Sequence, residues 1–174
     1  MIIDSLNLDK PFFFHIRKAM EKDWDVAMEL AFKIFLKYEA EEYGQEGTDH
    51  FASFVTDSTL KKMFLQGDYK LFLAETAEEI IGLISVRNGN HISLLFVDDK
   101  YHRKGVGSAL ITYLADYMKL TTDFSKVTVN AAPYGIPFYH SIGFQDMGPM
   151  IKKDGISFVP MELYLNSIAI EGEK

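Results

Sequence analysis

The spacing of apolar residues in the first third of the chain predicts one strand followed by two helices. Residues 12–17 alternate enough, and are aromatic enough, to form a strand. Asp23 stands where the N-cap of a helix belongs, and an apolar stripe at helical spacing follows it and ends before Gly44. The stripe consists of Trp24, Met28, Ala31, Phe35 and Tyr38. A less regular apolar pattern over about 49–66 predicts the second helix, which Gly67 ends.

Three strands are predicted next, over residues 69–75, 80–87 and 91–97, because β-branched and aromatic residues are dense in these segments. Asn88-Gly89 favours a tight hairpin, since a type I′ turn needs a positive φ at both central residues. We therefore expect each of these three strands to lie antiparallel to the next.

The remainder of the chain alternates between helical and extended patterns. The predicted elements are a helix over 107–120, a strand over 127–131, a helix over 137–142 closed by Gly143, an extended segment from Phe144, and a strand over 157–165. This order predicts an α/β (α+β) fold, with helices flanking a mixed, mainly antiparallel sheet. Because no repeat or linker interrupts the pattern, we expect a single domain over residues 1–174, with its core at about 12–165.

Composition narrows the class of protein. The chain has 174 residues and no cysteine, which excludes disulfides, cysteine nucleophiles and thiolate metal sites, and its five histidines fall in no metal-binding spacing. A net charge of -7 disfavours nucleic acid and anionic membranes as partners. Residues 1–10 do not resemble a signal peptide, and no apolar run approaches the roughly 18 residues of a membrane span, so we expect a cytoplasmic protein without a metal.

The segment from Ile92 to Leu110 carries the strongest chemical signal. A strand that is apolar on both faces enters a loop with two glycines, which opens directly into a helix. Such a helix start presents unpaired backbone N–H groups and the positive end of the helix dipole, so it favours an anion. Lys100, Arg103 and Lys104 place three cations in the same loop, which predicts a polyphosphate site. Solvated surface charges before a tight turn are the alternative.

Two segments together resemble the GCN5-related N-acetyltransferase (GNAT) family. The family motif Gln/Arg-x-x-Gly-x-Gly/Ala after a strand matches His102-Arg-Lys-Gly105-Val-Gly107, with histidine in place of the usual glutamine or arginine. The second family segment, an asparagine-containing strand followed by Tyr-x-x-x-Gly-Phe, matches Asn130 and Tyr139-His-Ser-Ile-Gly-Phe144. The resemblance covers residues 12–165 and implies a GNAT-like acyl-CoA N-acyltransferase fold.

The resemblance also implies acetyl-CoA as co-substrate, together with residues that hold it. The pantetheine arm would lie alongside the strand at 95–97, where it separates from the strand at 127–131, and main-chain groups near Phe96 and Val97 would polarise the thioester carbonyl. Tyr139 matches the tyrosine that protonates the departing thiolate in many family members. The implied cofactor-binding residues are Leu95, Phe96, Val97, His102, Arg103, Lys104, Gly105, Val106, Gly107, Ser108 and Asn130.

The general base and the acceptor stay open at this point. His91, Glu75, Glu162 and an ordered water are all candidates for the base. An acidic stretch suggests a cationic acceptor such as a polyamine, an aminoglycoside or a lysine-bearing peptide, with a solvated acidic loop as the alternative. The stretch consists of Glu39, Glu41, Glu42, Glu46 and Asp49.

The expected function is transfer of an acetyl group from acetyl-CoA to a primary amine of a small molecule or peptide, by direct attack in a ternary complex. A non-catalytic acyl-CoA-binding sensor and a structural interaction protein are the alternatives. Because the last predicted strand is apolar, pairing of this strand between two chains would produce a homodimer.

Overall fold

Eight strands form one sheet within residues 12–167, which are the residues that the computed structural model describes. They are β1 (His15–Lys18), β2 (Lys70–Glu75), β3 (Ile80–Arg87), β4 (His91–Val97), β5 (Lys126–Ala131), β6 (Gln145–Asp146), β7 (Ile151–Lys153) and β8 (Ile156–Tyr164). The order across the sheet is β1-β2-β3-β4-β5-β8-β6, and β7 also pairs with β8. The expectation for residues 1–10 lies outside the described residues.

Helices cover both faces of this sheet. They are α1 (Trp24–Tyr38), α2 (Ala40–Val55), α3 (Ser58–Gln66), α4 (Val106–Thr121) and α5 (Ile136–Ile142). The first three share one hydrophobic cluster, and α4 and α5 share the other. Within residues 12–167, β4 and β5 form the one parallel pair, so the predicted mixed, mainly antiparallel sheet is confirmed. No helix in this range combines the length and apolarity that crossing a bilayer requires.

The two clusters follow from the twofold alternation of side chains along the strands. On β2, Leu71 and Leu73 pack with α1, whereas Phe72 and Ala74 pack with α4, and all four are fully buried. A strand buried on both faces needs apolar residues at every position, which is why β2 reads as a continuous apolar run.

The helical region after α1 differs from the prediction of two helices. The helix of the apolar stripe, α1, ends at Tyr38, before Gly44 as predicted, but Gly44 itself lies inside α2, where its non-helical angles of φ 67° and ψ -166° kink the helix. The region predicted as one helix over 49–66 is divided between α2 and α3, because the Asp57 side chain accepts a hydrogen bond from the Thr59 N–H at 2.7 Å and caps a new helix. The irregular apolar pattern reflects two helices with different buried faces.

Asp23 precedes α1 as predicted, but its carboxylate does not cap the helix. It accepts hydrogen bonds from Arg17 Nη1 at 2.8 Å and from the Met20 N–H at 2.7 Å, and it makes none to the first turn of α1. The first strand also begins later than predicted, at His15.

The sequence prediction misses β7, although a hairpin signal precedes β8. Asp154 and Gly155 have φ values of 54° and 76°, and a type I′ turn requires positive angles at both of its central residues. β8 pairs with β5 along one edge and with β6 and β7 along the other. Both edges of β8 are therefore largely paired within the chain, so the expected pairing of this strand between two chains has little free edge to use. A homodimer stays a prediction.

A β-bulge in β4 changes which face its side chains occupy. Ser85 pairs with Leu94 and Val86 pairs with Ile92, so Ser93 is the extra residue. Ile92 packs in the α4 cluster, whereas Leu94 packs in the α1 cluster, although an uninterrupted strand would put both on one face. A bulge also bends its strand and increases the local twist.

The parallel pairing of β4 with β5 stops at this bulge. His91 lies opposite Thr128 and Ile92 opposite Val129, and no register pair joins the two strands beyond these among the described residues. From residue 93 to residue 97, β4 bends away from β5 and leaves a gap between them.

Candidate active site

The gap between β4 and β5 opens into a cavity of about 560 Å³. Its walls come from the end of α1 and the start of α2, from β4, from the loop before α4, and from the segment that links β5 to α5. Most of the predicted site residues line it: Leu95, Phe96, Val97, His102, Arg103, Gly105, Val106, Gly107, Ser108, Asn130 and Tyr139. The two sequence segments that carry the resemblance therefore meet in one place.

The first turn of α4 presents backbone donors to this cavity. The helix begins after Gly105, which has a φ of 80°, and its first backbone bond runs from the Ala109 N–H to the Gly105 carbonyl at 3.0 Å. The N–H groups of Val106, Gly107 and Ser108 find no acceptor among residues 12–167. Three free amides at the positive end of a helix dipole suit a diphosphate, so this helix start fits the nucleotide end of CoA.

Gly107 has a packing reason of its own. A Cβ atom built there would lie 3.0 Å from Cζ of Phe138, so the missing side chain lets the α5 ring pack directly on the first turn of α4. At Gly107 the neighbour is protein, whereas at Gly105 a Cβ would meet open space.

The three cations of the loop are not gathered around the cavity. Arg103 lines it, but Lys100 and Lys104 do not. The Lys104 ammonium lies 4.9 Å from the centroid of the Phe12 ring and 6.0 Å from that of Tyr101, as in a cation–π contact. A contribution of Lys104 to cofactor binding therefore stays a prediction that the cavity lining does not support.

His102 connects the loop before α4 to the end of β4 through a hydrogen bond. Its Nε2 donates a hydrogen bond to the Val97 carbonyl at 2.7 Å, and its ring centroid lies 5.5 Å from that of Tyr38. Tyr38 in turn stacks on Tyr134, at 5.3 Å between centroids. The histidine that departs from the family motif thus closes one rim of the cavity, and the Val97 carbonyl is already bonded within the protein.

Tyr139 is buried beside the cavity, between two aromatic rings. Its ring meets those of Phe138 and Phe144 edge-on at 5.4 and 5.2 Å, and the residue is 7% exposed. Its hydroxyl makes no hydrogen bond to any residue that the structure describes. Burial and the nearby charge of Glu39 raise the pKa of the phenol, so it stays protonated at neutral pH.

Glu39 is the titratable group that sequence reasoning did not separate from its neighbours. It follows α1 directly, is half-buried and lines the cavity, and within residues 12–167 its carboxylate makes no hydrogen bond or ion pair. Burial and the charge of Glu42 raise the pKa of this carboxyl to about 7. The four other acidic residues of the stretch are exposed. Helical spacing would have separated Glu39 from the others, because it lies four residues after Phe35 and residues four apart share one face of a helix.

The candidates for the general base that the sequence offered lie elsewhere. His91 is outside the cavity lining, and burial lowers its pKa to about 4. Glu75 is held by Arg17 at 2.9 Å, and Glu162 by Lys126 at 2.7 Å. None of the three lines the cavity, which leaves water among the original candidates.

Solved structures of known proteins share this fold. A GCN5-related N-acetyltransferase from Rhodopseudomonas palustris superposes with a TM-score of 0.74 at 20% identity, over 86% of this chain and 94% of that one. The PaiA N-acetyltransferase from Thermoplasma acidophilum, solved with coenzyme A, gives 0.65 at 19%, over 88% and 99%. The spermidine N-acetyltransferase from Vibrio cholerae, solved with CoA and spermine, gives 0.64 at 17%, over 88% and 96%.

Sequence similarity points the same way. The uncharacterized N-acetyltransferase YafP of Escherichia coli K12 is 40% identical over 65 residues, which are 37% of this chain and 39% of that protein. The match thus spans about two fifths of this curated relative. The family model for the acetyltransferase (GNAT) domain matches residues 39–165, which include the α4 loop, the gap beside β4 and Tyr139. The chain belongs to the GNAT acetyltransferase family.

Proposed function

We propose that the chain transfers an acetyl group from acetyl-CoA to a primary amine of a small molecule or peptide, by direct attack within a ternary complex. The observation that carries this proposal is the union of three features in one cavity. These are a helix start with free amides, a strand edge without a partner, and a buried protonated tyrosine. The free amides suit the diphosphate of CoA, and the open strand edge suits its pantetheine arm. The tyrosine suits protonation of the departing sulfur.

The residues for holding CoA follow from this layout. The diphosphate would bind at the amides of Val106, Gly107 and Ser108, with the Arg103 side chain beside it. The pantetheine arm would lie in the gap along residues 95–97, where the edge of β4 that faces β5 has no partner strand. When bound, acetyl-CoA supplies an activated thioester. Two of the solved neighbours hold CoA, which supports the assignment.

The protein groups supply two further effects on the reaction. A backbone N–H of the open β4 edge near Phe96 stabilises the negative charge that develops on the carbonyl oxygen, and such a donor is worth roughly 3 kcal/mol in a dry site. Tyr139 donates its proton to the departing sulfur. A thiol has a pKa of about 8.5, so this step makes a modest demand on the donor.

The charge inside the cavity favours a cationic acceptor. Glu39 contributes a carboxylate without a protein cation, and Arg103 lies on the side assigned to the diphosphate. An ammonium group entering from the α1–α2 side would meet the carboxylate first. The V. cholerae neighbour was solved with spermine, a polyamine, which is consistent with this class of acceptor.

An acceptor screen tests the proposal. Purified protein is incubated with acetyl-CoA and with polyamines, aminoglycosides and lysine-bearing peptides, and free CoA is measured against a reaction without amine. We expect amine-dependent release of CoA and an acetylated product by mass spectrometry. Binding of CoA without turnover on any amine would instead support an acyl-CoA sensor, and absence of CoA binding would contradict both.

A further inference from the structure

We propose that Glu39 is the general base of the reaction, whose carboxylate takes the proton that the acceptor ammonium loses before it attacks. This inference rests on the acetyl transfer proposed above and assigns a residue to a step that the transfer requires. It also explains why one acidic residue of five points into the cavity while the others face solvent.

The backbone fixes where Glu39 can act. Its N–H donates to the Phe35 carbonyl at 2.9 Å, and its own carbonyl accepts from the Tyr43 N–H at 3.1 Å, so it belongs to the ends of both α1 and α2. Phe35 and Tyr43 are themselves buried and stack at 5.7 Å. The carboxylate therefore projects from a hydrogen-bonded junction into the cavity that Tyr139 lines from α5.

The surroundings of Glu39 suit a base that works near neutral pH. Burial raises its pKa to about 7, and a base is most effective when its pKa lies near the working pH. The titratable and charged groups around it are mostly phenols and carboxylates. They are Tyr38 from α1, Glu42 and Tyr43 from α2, His102 and Arg103 from the loop before α4, and Tyr134 and Tyr139 from the segment after β5.

The protons of the transfer balance with these two residues. An N–H bond of the ammonium breaks and an O–H bond forms on Glu39, which frees the nitrogen lone pair to bond with the acyl carbon. The carbon–sulfur bond then breaks with its electron pair on sulfur, and sulfur takes the Tyr139 proton. A second nitrogen proton restores Tyr139, and the Glu39 proton leaves to water. The sum is ammonium plus thioester giving amide, thiol and one proton.

The order of these steps is favourable because Glu39 and Tyr139 interact. The negative charge of Glu39 helps to raise the pKa of the Tyr139 phenol. Once Glu39 has taken a proton this charge is gone, so the phenol becomes a better donor at the moment when sulfur needs a proton.

The test compares Glu39→Gln with Glu41→Gln, a control at the same helix junction whose side chain is exposed and outside the cavity. With an amine from the acceptor screen, we expect Glu39→Gln to lower kcat by roughly 10²- to 10⁴-fold and the control to match the parent. The parent profile of kcat/KM against pH should fall on the acid side near pH 7, and Glu39→Gln should lose this limb. Glu39→Asp, which keeps a carboxylate, should retain it.

A second measurement separates a base from a residue that only binds the ammonium. A fluorinated amine whose own pKa lies below the assay pH arrives without the extra proton, so the deficit of Glu39→Gln should shrink for that acceptor. A raised KM with unchanged kcat and an intact acid limb would assign Glu39 to binding alone and overturn the proposal. An unaffected Glu39→Gln enzyme would also overturn it, whereas a parent that acetylates no amine would refute the acetyl transfer itself.

Discussion

Tyr139 combines burial, a raised pKa and a place in the cavity wall, which is the combination that a proton donor to sulfur requires. We expect Tyr139→Phe to lower kcat by roughly 10²-fold, at the low end of general acid effects because a thiolate departs readily, and to leave the Kd for CoA nearly unchanged. Tyr134→Phe is the matched control, since it removes a phenol from the rim of the same cavity. Steady-state kinetics and calorimetry measure the two effects, and an unchanged kcat would remove Tyr139 from the mechanism.

Gly107 lies where α4 and α5 approach closely. A side chain at this position would therefore move the neighbouring backbone N–H groups of the first turn of α4. A valine there would push against the Phe138 ring and displace the first turn of α4. We expect Gly107→Val to raise the Kd for CoA about tenfold or more, because a hydrogen bond to a charged group is worth about 1.5–3 kcal/mol. Gly148→Ala is the control, since a Cβ there meets open space. Normal CoA affinity in the valine variant, measured by titration calorimetry, would argue against this helix start as the diphosphate site.

The sequence predicts which residues line the cavity better than it predicts what each of them contacts. Motif spacing locates the α4 loop and Tyr139, because those residues follow one another in the chain. The turn of His102 back to Val97 depends on the end of β4, and the separation of Glu39 from Glu41 and Glu42 depends on how α1 meets α2. These are properties of packing between elements that are far apart in sequence.

At the scale of elements, Arg17 joins β1 to β2 and to the turn before α1. Its guanidinium holds Asp23 at 2.8 Å and Glu75 at 2.9 Å, and hydrogen bonds from it lower the pKa of both carboxyls. A carboxyl whose pKa is lowered in the folded state stabilises the protein above its unfolded pKa of about 4 and loses that stabilisation as the pH falls further. Stability should therefore decline in acid, below about pH 4 to 5.

Removal of Arg17 tests this link. We expect Arg17→Met to destabilise the protein by roughly 3 kcal/mol at pH 7, because Asp23 is left buried without its cation, and to flatten the decline in acid. Lys61→Met, which removes a cation from an exposed pair with Asp25, is the control and should change little. Urea unfolding at pH 7 and pH 3 measures both variants. An equal loss of stability for Arg17→Met at the two pH values would contradict the link.

Elements with a strong local signal are predicted well from the sequence. The bounds of β3 and β4 agree with the prediction, since dense apolar runs flank an Asn-Gly turn. The division of α2 from α3 is missed because the apolar pattern there changes face, and the bulge at Ser93 is missed because it exists only in the register with β3. Local pattern thus predicts the elements, whereas pairing between strands decides where the gap opens.

For the whole molecule, CoA binding should appear as thermal stabilisation. A ligand at about 100 times its Kd adds about 2.7 kcal/mol, which for a chain of this size corresponds to a rise in Tm of roughly 5–10 °C. Pantetheine, which lacks the diphosphate, should give a smaller shift at the same concentration. Differential scanning fluorimetry measures both, and equal shifts for the two ligands would show that the α4 amides contribute nothing.

The short parallel contact between β4 and β5 has a mechanical consequence. Strands β1 to β4 form one part of the sheet, and β5 to β8 form the other. Among the described residues, only two residue pairs, both between β4 and β5, connect the two parts along the sheet. A ligand that binds along the free edge of β4 adds hydrogen bonds next to this short parallel pairing. Ligand binding in the gap would therefore reduce the motion of the two parts of the sheet relative to each other. Amide hydrogen exchange along β4 would slow as a result.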